Sequence, residues 1–166
     1  MQATSPISTI TYVIGDATAP SGDGRKIIAH VCNDLGRWGR GFVLAINRRW
    51  TAPSIAYRRP FAGPSRPALG DVQFIPVSNT ITVANIIGQH GIRYPDEAAT
   101  TPAPIRYEAV AAGLTKIADQ ATRQSASVHM PRIGCGLAGG TWERIELLIT
   151  RGLSSRGIPV TIYDLR

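Results

Sequence analysis

Cysteine is scarce in this 166-residue chain: Cys32 and Cys135 are the only two. They sit in unlike local contexts, and a lone disulfide would be out of place without an export signal, so free thiols are expected. No cysteines or histidines have metal-ligand spacing. His30, His90 and His129 each stand alone in an apolar stretch, and no metal or other cofactor is expected. Long apolar runs are missing too: none approaches the ~18 residues a membrane span needs. Met1 to Thr9 lack the basic-then-apolar layout of a signal peptide, which makes a cytoplasmic location, with no membrane partner, the expectation. No internal repeat, linker or low-complexity tract interrupts the chain, so one domain over residues 1–166 and a monomer are expected.

What is present is an ordinary apolar fraction of 43%, many turn residues (17 Gly and 12 Pro) and a formal net charge of +7. The hydrophobic content suffices for a core. The positive charge favours anionic partners, although it forms no run of five or more basic residues.

Strand-like and helix-like stretches alternate. Ile10 to Ile14 is β-branched and aromatic and is stopped by Gly15-Asp16, a strand and a turn. Ile27 to Cys32 reads as a buried second strand. From Gly41 to Trp50, Phe42, Ala45, Ile46 and Trp50 recur at helical spacing. Thr51 to Arg66, rich in Pro and Arg, reads as an irregular loop. Asp71–Val77 and Ile81–Ile87 flank the turn Ser78-Asn79-Thr80 and suggest a hairpin. A loop from Tyr94 to Pro104 precedes a long helix marked by Ala109, Val110, Leu114, Ile117, Ala118 and Ala121. Ser127–Met130 is a short strand. Thr141 can cap a last helix whose buried stripe is Ile145, Leu148, Ile149 and Leu153, with Gly157 as its stop and Val160–Tyr163 as a closing strand. The alternation implies an α/β layered domain with a mixed sheet.

Two segments carry chemistry. In His30 to Phe42 a buried strand runs into a loop with glycines at 36, 39 and 41, and a helix follows at once. Met130 to Glu143 repeats the layout, with glycines at 134, 136, 139 and 140. Such junctions present free backbone N–H groups and the positive end of a helix, which suits an anion. Glycine allows the close approach. Neither loop has GxGxxG spacing or the Lys-Ser/Thr pair of a P-loop. Two such loops converging beyond the carboxyl ends of the strands would clamp a diphosphate.

These residues resemble the macrodomain family, along nearly the whole chain. The branch that looks most similar contains the macrodomain of the chromatin remodeller amplified in liver cancer and the terminal ADP-ribose protein glycohydrolase. Gly36-Arg37-Trp38-Gly39, Gln89-His90, Ala126 to His129, Pro131 to Gly134 and Arg156 to Pro159 look like the remodeller's module; Gly134 to Leu137 looks more like the glycohydrolase. The resemblance implies a three-layer α/β/α macrodomain with a mixed central sheet that binds ADP-ribose. It implies a ligand-binding set of Asp16, Ala17, Gly36, Trp38, Gly39, Arg40, Gly41, Gln89, Gly134, Cys135, Gly136, Leu137, Ala138, Gly139, Gly140 and Thr141. Asp16 would accept a hydrogen bond from the adenine amino group, and Asn33, Gly39 and Gly41 would shape the distal ribose site. Gly134, Cys135, Gly136, Gly139, Gly140 and Thr141 would offer amides to the phosphates.

The sequence departs from the glycohydrolase where that enzyme uses a lysine and an aspartate: Gln89 (or its neighbour His90) and Ala138 stand there, so a lysyl adduct is not expected. The leading reading is hydrolysis of mono-ADP-ribose from acidic side chains of modified proteins through activated water, with Asn33, Asp34 and His90 as catalytic candidates. A non-catalytic ADP-ribose reader is the alternative. A third reading, ADP-ribosylated nucleic acid as the partner, is motivated by Arg48, Arg49, Arg58, Arg59 and Arg66. Bland roles compete at several positions. His30 and His129 read as hydrogen-bonded core histidines, Trp38 as either a stacking platform or a packing lid, and Asp34 as either a base or a loop cap. Cys135, at a junction that would lower a thiol pKa, reads as a backbone contributor.

Overall fold

The computed structural model describes residues 9–97 and 102–166. The expected opening segment therefore lies outside the described residues except for Thr9, as do residues 98–101 of the expected Tyr94–Pro104 loop. Six strands form one sheet in the order β1-β6-β5-β2-β4-β3. Their ranges are β1 Ile10–Ile14, β2 Lys26–Asn33, β3 Val72–Pro76, β4 Ile81–Gln89, β5 Ser127–Met130 and β6 Val160–Asp164. All neighbours run parallel except β3 and β4, the antiparallel hairpin expected around Ser78-Asn79-Thr80.

The central strands are buried on both faces and mostly apolar, broken by the hydrogen-bonded His30, Asn85 and His129. Side chains alternate between the faces. Ile27 and Ala29 of β2, with Ala84 and Ile86 of β4, pack against Val110, Leu114 and Ile117 of α3 (Tyr107–Gln124) and Ile145 and Ile149 of α4 (Trp142–Gly152). Ile28 and Cys32 of β2, with Val83 and Ile87 of β4, meet Trp38, Ile46 and Tyr57 on the other face. That second layer contains α1 (Phe42–Asn47) and α2 (Ala52–Arg58). The result is the three-layer α/β/α arrangement with a mixed central sheet.

Four local expectations are corrected. Thr51–Arg66 is not irregular throughout: α2 is followed by a 3₁₀ turn, Arg59–Ala62. Pro53 and Pro60 each fall in the first turn of their element, where a missing N–H breaks no helical bond. The helix expected to run from Gly41 to Trp50 ends at Asn47. The last helix ends at Gly152, and Gly157, with φ 76°, closes a separate 3₁₀ turn, Ser154–Arg156. Thr141 holds the N-cap position but makes no side-chain cap bond; its N–H donates instead to Tyr107 Oη at 3.0 Å.

Helix α3 lies close on the sheet because Gly113 has no side chain. A Cβ there would stand 2.6 Å from Ile86 Cγ2 and 3.3 Å from Val72 Cγ2. Ile86 is stiff at χ1 and cannot yield cheaply. Gly113→Val is expected to lower stability by about 1–3 kcal/mol, read as an earlier chemical-denaturation midpoint. An unchanged midpoint would show that the helix can lift off without cost.

Candidate functional site

Strands β5, β2 and β4 are parallel neighbours, so the segments leaving their carboxyl ends lie side by side. Together they enclose a cavity of about 740 Å³. One wall is the loop after β2, including Asn33 and Gly36 through Val43. The opposite wall is Pro131 to Ala138, after β5. Between them lie Gln89 and Ile92-Arg93-Tyr94, after β4. The two glycine loops read from the sequence therefore do face one space, at the end of the sheet where such ligand sites form.

Asn33 organises the first wall. It is buried, at the point where the β2–β4 register shifts between Cys32 and Asn33. Its Oδ1 accepts the Leu35 N–H at 2.9 Å, the Arg37 N–H at 3.2 Å and the Tyr57 hydroxyl at 2.8 Å; its Nδ2 donates to the Arg37 carbonyl at 2.7 Å. The Tyr57 hydroxyl also lies 2.6 Å from the Asn33 carbonyl. Trp38 settles its two readings in favour of packing: it is 5% exposed, its Nε1 donates to Asn47 Oδ1, and its ring meets His30 and Tyr57.

The second wall presents residues 134–138. Gly136–Ala138 forms one 3₁₀ turn with no side-chain cap, which leaves its opening amides available to an anion. The amides expected further along are already used. Gly139 N–H donates to Gly136 O at 3.0 Å, Gly140 N–H to Gly134 O at 2.8 Å and Thr141 N–H to Tyr107 Oη. None of the three residues lines the cavity. They brace the loop: a Cβ on Gly139 would stand 2.5 Å from that of Ala103, and one on Gly140 would strike the Gly134 carbonyl.

Asp16, Ala17, Asp34 and His90 also lie off the cavity wall. Asp16 accepts from Thr18 N and Oγ1 at 2.8 and 2.7 Å and faces Arg49 at 3.7 Å. Burial would raise its carboxyl, but these donors and Arg48 hold it below the usual carboxylate range. Asp34 accepts from the Gly91 N–H at 2.8 Å and pairs with His90 Nδ1 at 2.7 Å. Its carboxyl too is held low, burial being outweighed by those bonds. That ties the loop after β2 to the segment after β4. Burial raises the Cys135 thiol, with Arg132 only partly offsetting it, so the lowering expected at a helix N-terminus does not occur.

Several lining residues carried no ligand-binding role in the sequence: Arg37, Arg93, Tyr94 and Arg132, together with Arg58, which there suggested only a nucleic-acid partner. Arg93 Nε donates to the Leu137 carbonyl at 3.2 Å on one wall. On the other, Arg37 Nη1 donates to Tyr94 Oη at 3.2 Å, and the Arg40 guanidinium lies 5.0 Å from the Tyr94 ring centroid. Ile92-Arg93-Tyr94 is thus a strap joining both walls. Its position after a central parallel strand was the available signal. Among the described residues, no carboxylate lines the cavity.

His30 lies beneath the cavity, its Nε2–H donating to Asn85 Oδ1. His129 bonds Ser127 Oγ and Tyr163 Oη, each at 2.7 Å. Both are the core histidines expected. Burial pulls each down to about 4. The unfolded chain, with histidines near 6.5, then binds more protons than the folded one between those values, so stability falls as pH drops from about 6.5 to about 4. The slope expected is about 1.4 kcal/mol per histidine per pH unit. Asp16, Asp34 and Asp164, all held below the usual range, stay ionised in that window. Denaturation midpoints that do not fall between neutral pH and about pH 4.5 would contradict the buried neutral state.

No family model matches the sequence. The chromodomain-helicase-DNA-binding protein 1-like of Mus musculus is 36% identical over 166 residues, covering 94% of this chain, which spans 18% of that protein's length. A macrodomain protein from Streptomyces coelicolor is 54% identical, with a TM-score of 0.81 over 94% of this chain and 99% of that one. Thermosipho africanus DarTG, solved in complex with ADP-ribose, is 16% identical and shares the fold at a TM-score of 0.65, covering 82% of this chain and 37% of that one. By the Streptomyces likeness, which runs across both chains, this chain belongs to the macrodomain family.

Proposed function

We propose that this macrodomain binds ADP-ribose in the cavity between its two glycine loops and hydrolyses the ester that joins ADP-ribose to acidic side chains. The observation that carries the binding reading is the cavity itself. Its volume of about 740 Å³ suits a dinucleotide-sized ligand; among the described residues, available amides and five arginine side chains line it, and no carboxylate repels a diphosphate there. The fold shared with a protein solved with ADP-ribose supports the same ligand.

The same composition favours an ester over other linkages. Breaking the bond between ribose C1″ and a carboxylate oxygen releases a group with pKa about 4.3, which departs without a proton donor. Water supplies the hydroxyl to C1″, and its remaining proton leaves to solvent. A guanidine or amine leaving group would need an acid, and among the described residues neither a carboxyl group nor a lysine lines this cavity. The demand on the protein reduces to holding the diphosphate and the ribose, with oriented amides opposing the charge that develops. Of the three catalytic candidates, Asn33 alone lines the cavity. Its Oδ1 is spent on the loop, but its Nδ2 retains one N–H beyond the bond to Arg37. Asn33 is thus a positioning residue. Asp34 and His90 tie two segments together behind the wall.

Calorimetry should give an ADP-ribose Kd on the order of 1 µM. Gly39 is the clean position to challenge it, because a Cβ there meets nothing within 4 Å. Gly39→Val is expected to keep the fold and weaken binding about tenfold or more, at 1.4 kcal/mol per tenfold. Unaltered affinity would remove the ligand from this cavity.

Release of ADP-ribose should be seen from a glutamate-linked mono-ADP-ribosylated protein and not from an arginine-linked one. His90→Ala should change that turnover less than about threefold, whereas Asn33→Ala should damage binding and turnover together by freeing the loop. Binding without release from either substrate would leave a reader. Equal release from both would overturn the leaving-group argument.

A further inference from the structure

The positive charge is concentrated in one layer of the molecule. Between Asp34 and Asp71 lie seven arginines and no acidic residue, so this segment holds the whole formal excess of seven, the other basic and acidic residues being equal in number. It folds as the first loop, α1, α2 and the 3₁₀ turn that follows, covering one face of the sheet and running on to the β3 edge. Among the described residues only Arg49 of the seven is ion-paired. Arg37, Arg40 and Arg58 are exposed at the cavity, while Arg48 and Arg59 are exposed beyond it. A diphosphate brings two negative charges and cannot neutralise a field that extends past the cavity.

The same layer also exposes aliphatic surface. Leu35, Leu44, Ile55 and Leu69 are 40–51% exposed. Leu44 and Arg48 are four residues apart in helical backbone, as are Ile55 and Arg59, so an aliphatic chain sits beside an arginine twice over. Arginine among apolar groups is the composition of a protein-binding face; a nucleic-acid face is more polar. Of the rings in this layer, Trp38 and Tyr57 are buried, and Phe42, Trp50 and Phe61 are half-buried and packed against the same core, so none stands out as a platform for bases.

We propose that the α1–α2 layer docks an acidic polypeptide carrying aliphatic residues among its carboxylates, and so delivers a modified glutamate or aspartate to the adjoining cavity. The docking itself is independent of the proposed function; the delivery rests on it. Carboxylates of the segment pair with the uncompensated guanidinium groups, in a geometry arginine holds bidentately, while its aliphatic residues cover Leu44 and Ile55.

Fluorescence anisotropy with the full chain tests the docking without ADP-ribose. The probes are a labelled peptide of repeating Glu-Leu-Glu units, an all-glutamate peptide of equal length, and single-stranded and duplex DNA. The Glu-Leu-Glu peptide should bind most tightly, and more weakly as salt rises. Arg48→Glu with Arg59→Glu should weaken it about tenfold or more and leave ADP-ribose affinity unchanged, since neither residue lines the cavity. Ile55→Ser, an exposed change that keeps the fold, should weaken the Glu-Leu-Glu peptide and spare the all-glutamate one. Tighter binding of DNA, no peptide binding, or indifference to both sets of substitutions would each overturn the proposal. Peptide binding by a protein that ignores ADP-ribose would sink the proposed function and leave the docking face standing.

Discussion

The side-chain amide of Asn33 is the contact on which the cavity depends. It sits at the end of β2, a central strand with parallel neighbours on both sides, where the chain must leave the sheet and turn back into α1. A turn of this kind exposes amides that would cost free energy if left unpaired in a buried place. Asn33 Oδ1 satisfies two of them and also accepts from the Tyr57 hydroxyl, which reaches in from α2, while Asn33 Nδ2 donates to the Arg37 carbonyl. The first wall is thereby fixed to the core of the second layer, and Trp38 fills the space beneath it.

Around that anchor the charges are sorted rather than balanced. Acidic groups near the cavity are turned away and occupied: Asp16 by Thr18 and Arg49, Asp34 by His90 and Gly91, Asp164 by Arg132 in a two-pronged pair at 2.7 and 2.9 Å. The arginines of the first wall have no such partners. An anion entering the space therefore displaces no resident carboxylate from Arg37, Arg40 or Arg58, and loses its hydration to groups already oriented toward it. The histidine beneath stays neutral and adds no charge of its own.

Much of this was legible in the residues. The two glycine loops, the hairpin around Ser78-Asn79-Thr80 and the buried stripe of α3 follow from spacing alone, because period and turn chemistry are local properties. The prolines misled: Pro53 and Pro60 suggested an irregular crossing, yet each occupies a first turn that tolerates it. The fates of Gly139, Gly140 and Thr141 were not readable, since whether an amide faces a ligand or a neighbouring carbonyl depends on loop curvature. The strap Ile92-Arg93-Tyr94 was missed because its partners, Leu137 and Arg37, are remote in sequence. The arginine layer was legible only in part: Arg48, Arg49, Arg58, Arg59 and Arg66 group in the sequence and suggest a nucleic-acid partner, but their union with Arg37 and Arg40 does not show there. All seven gather only when α1 and α2 fold over one face.

The strap also makes the two walls mechanically dependent on each other. Arg93 grips the loop after β5, and its neighbour Tyr94 is held by two arginines of the loop after β2. A fragment occupying either half of the space cannot shift its own wall without pulling on the far one. Order gained on one side lowers the entropic cost of filling the other. Phosphate-bearing and ribose-bearing fragments should then bind with mutual reinforcement, and cutting the cross-brace at Tyr94 would leave two independent half-sites.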